Sequence, residues 1–161
     1  MSKKMDHKDI VEMLKQSGSD NNDQLAVQGR VVESRLSHGK SAAVRTVVTE
    51  NNTAKKVCSG SLDVFATPMM IALIERAACE CLADCLDEGQ TSVGTQIEVS
   101  HTAASPIGSE VTATAKIDYV FGRKIEFTVT ASDNAGEIGS GKHTRIIVDA
   151  ERFMKKAKER T

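Results

Sequence analysis

One long amphipathic stretch, followed by three consecutive runs of alternating residues, constrains this chain more than any other feature. From Thr67 to about Leu86, steps of 100° put Ile71, Ile74, Ala78, Leu82 and Cys85 on one side and Arg76, Glu80, Asp84 and Asp87 on the other. Thr67-Pro68 predicts the helix start, with Thr67 capping orphan amides and Pro68 at a position where no N–H is needed. Gly89 predicts the stop. Beyond it, period-two alternation appears at Ile97, Val99, His101, then at Val111, Ala113, Ala115, Ile117, Tyr119, and again at Ile125, Phe127, Val129, Ala131. Phe121-Gly122-Arg123 and Asn134-Ala135-Gly136 supply glycine where tight reversals need it, so these strands are predicted to be antiparallel hairpins.

A further run at His143 to Val148 completes the predicted sheet, and Ala42 to Val48 reads as an extended segment before the helix. Leu25 to Leu36 also favours a strand. A doubly wound parallel sheet needs a helix after nearly every strand, which this order lacks. The predicted class is therefore α+β, an antiparallel sheet wrapped around one long central helix.

The two ends read differently from the middle. Ile10, Val11 and Leu14 sit at helical spacing, and the polar run from Ser17 to Asp23 reads as a linker, so residues 1–23 are predicted to be an appendage to a domain at 24–161. At the other end, Asp149 is placed to cap a short basic helix from Ala150 to Arg160, with Phe153, Met154 and Ala157 as its apolar contacts.

A chain of 161 residues has room for one domain. Lys plus Arg total 21 and Asp plus Glu 22, a balance that gives no electrostatic case for a nucleic-acid or acidic-membrane partner. With four Phe, one Tyr and no Trp, the chain also lacks the stacking platforms of single-strand binders. Met1 to Gln16 mixes charges with isolated apolar residues, unlike a signal peptide, and no run has the length of a membrane span. Cys58, Cys79, Cys81 and Cys85 form no disulfide framework, which favours a reducing, cytoplasmic setting. The C-x-C-x3-C spacing on one helix is not tetrahedral zinc spacing, so these cysteines are read as small core residues. Phosphate-binding loops and the G-x-S-x-G elbow are missing, and no cofactor or metal is expected.

Three residues break the pattern. Glu75 falls near the helix's apolar stripe, where an ionised carboxylate costs several kcal/mol unless paired. It either reaches solvent or an ion pair at the stripe's edge, or lines a dry pocket with a raised pKa as base or nucleophile. His101 shares a strand face with Ile97 and Val99, so it is either a hydrogen-bonded core histidine or a partner of Glu75 in one pocket. Thr67 by itself is a helix cap. Amides gathered at that helix start would also stabilise an oxyanion. Eight residues at 1.5 Å rise separate Thr67 from Glu75 by about 12 Å, too far to serve one carbonyl. Two such helices packed antiparallel would bring Thr67 of one chain near Glu75 of another, which predicts a site at a dimer interface.

The segments Gly60 to Glu75, Ser92-Val93-Gly94-Thr95, Ser100 to Gly108 and Ile138-Gly139-Ser140-Gly141-Lys142-His143, in that order and spacing, resemble the fluoroacetyl-CoA thioesterase-like family of hot-dog proteins. The resemblance covers roughly Ala42 to the C-terminus. It implies a hot-dog homodimer that hydrolyses an acyl-CoA, with the family's catalytic Thr, Glu and His falling on Thr67, Glu75 and His101. Glu75 would then be base or nucleophile, His101 the proton-transfer partner and Thr67 a hydroxyl donor. Gly94 matches a glycine near the family's acyl pocket and Arg145 a late-strand arginine near the site, both on the substrate side. Arg76 follows Glu75 where the fluoroacetyl-specific member carries an aromatic residue, so the resemblance does not pass on that specificity. Two other activities compete on this fold: a non-catalytic acyl-CoA or small-ligand binding module, and a hydratase, whose Asp-x5-His motif this chain lacks.

Overall fold

A computed structural model describes residues 35–160. In chain order its elements are β1 (Ser41–Val47), α1 (Thr67–Leu82), β2 (Gln90–His101), β3 (Glu110–Phe121), β4 (Lys124–Asp133), β5 (Gly136–Asp149) and α2 (Ala150–Lys158). The five strands form one sheet in the order β1-β3-β4-β5-β2, with every neighbouring pair antiparallel. β1 and β2 are therefore the outer strands, and α1, which joins them in sequence, packs across the sheet, closest to β1 and β3. The α+β class and the sheet-around-helix arrangement follow.

The alternation in β3 and β4 is what makes this packing work. Val111, Ala113, Ala115 and Ile117, with Ile125, Phe127, Val129 and Ala131, are all fully buried on one face. Met70, Leu73, Ile74, Ala77, Ala78, Cys81 and Leu82 of α1 close on them. Alanines on both sides let helix and sheet approach, while each larger aliphatic side chain removed from water contributes about 1.5–3 kcal/mol. Among the described residues, no helix is long and apolar enough to cross a membrane.

Several details depart from the sequence reading. The N-terminal helix and most of the strand expected at Leu25 to Leu36 lie outside the described residues; of that segment Arg35 is helical and Leu36 is a buried residue in no strand. The buried stripe of α1 is centred on Leu73, Ala77 and Cys81, which leaves Ile71 and Glu75 on its half-exposed flank. The helix ends at Leu82 instead of about Leu86, and the chain tightens into a turn held by Ala83 N–H to Glu80 O and Cys85 N–H to Leu82 O. Lys40 pins that turn by pairing with Asp84 and with Cys85 Sγ at 2.9 Å. Of the three cysteines expected in the helix, Cys81 and Cys85 are buried, the latter in the turn beyond α1, but Cys79 is exposed.

A register shift between Ile117 and Tyr119 breaks the inward alternation of β3 and turns Tyr119 out to 56% exposure. Asp149 caps α2 as predicted, accepting from Arg152 N–H at 2.8 Å. None of α2's residues is buried, however, so Phe153, Met154 and Ala157 do not anchor it in the core.

β5 is longer than its apolar run suggests because it begins at Gly136 and runs through two glycines opposite β2. A Cβ at Gly139 would lie 2.4 Å from the Ser100 carbonyl oxygen and one at Gly141 2.0 Å from that of Glu98. These strands close on each other only because both positions are bare. Gly139 pairs with His101 and Gly141 with Val99, so the glycines set the end of β2 that carries His101.

Candidate active site

Thr67 stands one position inside the helix, and the N-cap is Ala66, which makes no side-chain cap. The capping role expected of Thr67 is therefore not filled. Its Oγ1 instead lies 2.8 Å from His101 Nδ1, bridging the start of α1 to the end of β2. The other ring nitrogen, Nε2, is shielded from solvent and has no hydrogen-bond partner among the described residues. Asn52 sets the entry to the helix: its carbonyl accepts the Ala66 N–H at 3.0 Å, while its side chain bridges the Val47 carbonyl and the Thr49 N–H. Met69 and Met70 both donate to the Ala66 carbonyl, and Pro68 has no N–H. At this helix start the Thr67 N–H has no partner among the described residues and lies in the positive field of the helix terminus.

Two turns further along α1, Glu75 Oε2 accepts from Arg145 Nη1 at 3.1 Å. The Glu75 side chain is 42% exposed and that of Arg145 only 6%. Glu75 thus sits at the edge of the stripe in an ion pair, and the dry apolar pocket that the sequence allowed is not what surrounds it. Arg145 is held from three other directions. Its Nε donates to Ser92 Oγ at 2.9 Å, its Nη2 to the Ser92 carbonyl at 2.8 Å, and its Nη1 also faces His143 Nε2 at 3.2 Å. His143 is buried, its Nδ1 lies 2.8 Å from the Gln96 carbonyl, and its ring stacks on Phe127 at 6.2 Å. Burial holds the imidazole below its ordinary value of 6.5, and Arg145 adds to this, while the Gln96 carbonyl and Glu75 act the other way.

Gly94 completes this second cluster. A Cβ there would stand 2.8 Å from Glu75 Oε2 and 3.1 Å from His143 Cε1, so the bare backbone leaves the carboxylate its place. Of the residues singled out by sequence, the structure thus joins Thr67 to His101, and Glu75 to Arg145 beside Gly94. It does not bring His101 to Glu75. Sequence reasoning missed Ser92 and His143. His143 is two residues before Arg145 on the same inward face, as a polar residue among core positions, the signal that had marked His101. Among the described residues, no group of three His, Cys, Asp or Glu side chains is placed to hold a metal ion.

The model of the fluoroacetyl-CoA-specific thioesterase family matches residues 48–151, a span that contains α1, β2 to β5 and every residue of both clusters. The chain belongs to this family. It is similar to the fluoroacetyl-CoA thioesterase of Streptantibioticus cattleyicolor, with 43% identity over 99 residues, 62% of this chain and 71% of that one. A solved structure of the fluoroacetyl-CoA thioesterase superposes with a TM-score of 0.75 at 36% identity, covering 78% of this chain and 98% of the other. A thioesterase superfamily member from Thermus thermophilus matches at a TM-score of 0.70 and 28% identity, over 77% of this chain and 94% of its own. The fold is the hot-dog fold of thioesterases, and acyl-CoA thioester hydrolysis is the reaction class.

Proposed function

We propose that the protein hydrolyses a small or medium acyl-CoA to the free acid and CoA as a homodimer, with Thr67 and His101 of one protomer facing Glu75 of its partner. The observation that carries this reading is the division of the three side chains between two clusters on one helix, each lacking what the other has. Thr67, Ile71 and Glu75 follow one another at four-residue intervals along the half-exposed flank of α1, a row suited to packing antiparallel on its own copy. β2 ends the sheet, and among the described residues its outer edge pairs with no strand, an edge suited to pairing with a second copy.

In the joined site the thioester carbonyl lies at the start of α1, where the Thr67 hydroxyl and backbone N–H stabilise the developing oxyanion. The ionised Glu75, held by Arg145, activates water or attacks the carbonyl itself. His101 delivers a proton to the departing sulfur. Water is consumed, the C–S bond breaks, and carboxylate and thiol leave. Gly94 opens space beside Glu75 on the substrate side, and Arg145 serves the substrate by fixing the carboxylate. Residues 24–161 form the catalytic domain with 1–23 as its appendage, in a reducing cytoplasm where the four cysteines stay free and no cofactor takes part. Arg76, next to Glu75, is exposed, so specificity for the fluoroacetyl group does not come from an aromatic residue at that position.

Free-thiol release from a panel of acyl-CoAs, acetyl to long-chain and aryl, tests the assignment. Wild-type release that drops by at least about 100-fold in both Glu75→Ala and His101→Ala supports it, since a positioned acid or base contributes 10²–10⁴ in rate. A folded dimer that cleaves no panel member is a binding module.

A further inference from the structure

Glu75 is only as well placed as the guanidinium beneath it, and the surroundings of that guanidinium point to a residue with no part in the chemistry so far. The Gln96 carbonyl can only accept a hydrogen bond, so the ring nitrogen facing it, Nδ1 of His143, carries a proton. Arg145 Nη1 can only donate, so the nitrogen facing it, Nε2, must be bare. The two neighbours demand the same neutral tautomer. Nη1 then uses one hydrogen on Nε2 and the other on Glu75 Oε2, which fixes the edge of the guanidinium that meets the carboxylate.

We propose that His143 is a positioning residue for the thioesterase reaction: as the neutral Nδ1–H tautomer it accepts an N–H of Arg145 and thereby holds Glu75 toward the thioester. The inference rests on the thioesterase reading of Glu75. The groups facing the ring come from four strands and helices: Arg145 from β5 itself, Glu75 from α1, the Gln96 carbonyl from β2 and the Phe127 ring from β4. A second proton on the ring would set a cation 3.2 Å from a guanidinium and remove its acceptor. The guanidinium would lose one of its anchors, and the carboxylate its fixed direction, without any change in what touches the substrate.

Nitrogen-15 NMR of the imidazoles in the intact protein tests the first half. The expected spectrum shows His143 as a neutral Nδ1–H tautomer at pH 7, and an Nε2–H tautomer or a charged ring there overturns the proposal. Kinetics test the second half, with His143→Leu, which has no acceptor, and His143→Gln, whose side-chain carbonyl restores one near Nε2. The Leu variant is expected to lose at least about tenfold in kcat with little change in KM, the rate equivalent of one hydrogen bond to a charged group. The Gln variant is expected to regain most of that loss, and to lack the acid limb of kcat that protonation of His143 gives the wild type. Wild-type kcat in the Leu variant, or an unchanged acid limb in the Gln variant should Leu not fold, overturns it. A wild type that releases no thiol from any acyl-CoA removes the reading of Glu75 and the catalytic half with it. The tautomer still decides whether His143 anchors Arg145.

Discussion

The two ends of the half-exposed flank of α1 are built on opposite plans. At Thr67 a single hydrogen bond reaches His101, and among the described residues neither the second ring nitrogen nor the adjoining backbone N–H has a partner. At Glu75 the carboxylate rests on a guanidinium that is itself tied to Ser92 and His143. At the first end a ring nitrogen and a backbone N–H lack partners among the described residues, and at the second the guanidinium under the carboxylate is engaged through all three of its nitrogens. A hydroxyl, an amide and an imidazole that meet the reactant directly need sites left open for it, and a carboxylate that acts in one direction needs its support fixed. The contrast is what the proposed site, shared between two copies, would need.

The largest expected effect breaks this division outright. Glu75→Ala and His101→Ala chains, each inactive alone by at least about 100-fold, should recover activity when mixed and refolded together. Random pairing leaves one intact site in about half of the dimers, so about a quarter of wild-type thiol release is expected. No recovery would place all three side chains within one chain. Next in size is Gly94→Ala, whose methyl group would stand 2.8 Å from Glu75 Oε2 and 3.1 Å from His143 Cε1 and so crowd the carboxylate. Displacing the carboxylate by about 1 Å should cost about 10- to 100-fold in kcat, with thermal stability nearly unchanged; full activity would show that the carboxylate's position is not critical.

Thr67→Val probes the other end. It removes the hydroxyl bonded to His101 at a position that does not cap the helix, so stability should fall by about 0.5–1.5 kcal/mol, the net worth of one hydrogen bond. Denaturant titration checks this, and Thr67→Ser, which keeps the hydroxyl, should restore most of the loss. The smallest effect is on stability against pH. Because His143 is held below 6.5 in the folded protein, the unfolded chain takes up its proton first, and stability should decline as pH falls below 6.5 toward the folded value. That part of the decline should vanish in His143→Gln.

Much of this architecture can be read from periodicity, because β3, β4 and α1 bury one face and expose the other along most of their length. The end of α1 is harder to read: Cys85 continues the apolar stripe and is buried, yet the backbone has already turned by then under hydrogen bonds that hydropathy does not register. Tyr119 keeps the alternation in sequence while a bulge reverses it in space. Thr67 is misread for a related reason, since capping preference is local and its partner lies 34 residues away. Glu75 and His101 stand out as polar residues on apolar faces, and His143 sends the same signal from a strand whose glycines obscure its pattern. The role of Gly94 can be seen only once the carboxylate beside it is placed.

The paired glycines of β5 have a consequence for how such a protein diversifies. At Gly139 and Gly141 the obstruction to any side chain is a carbonyl of the neighbouring strand, and at Gly139 also the sulfur of Met70. Carbonyls cannot rotate aside as side chains do, so neither position tolerates even a methyl group unless the strands part. This wall therefore admits no added atom at either position, and any change in the shape of the space it bounds has to come from the side chains that face it, such as that of Met70.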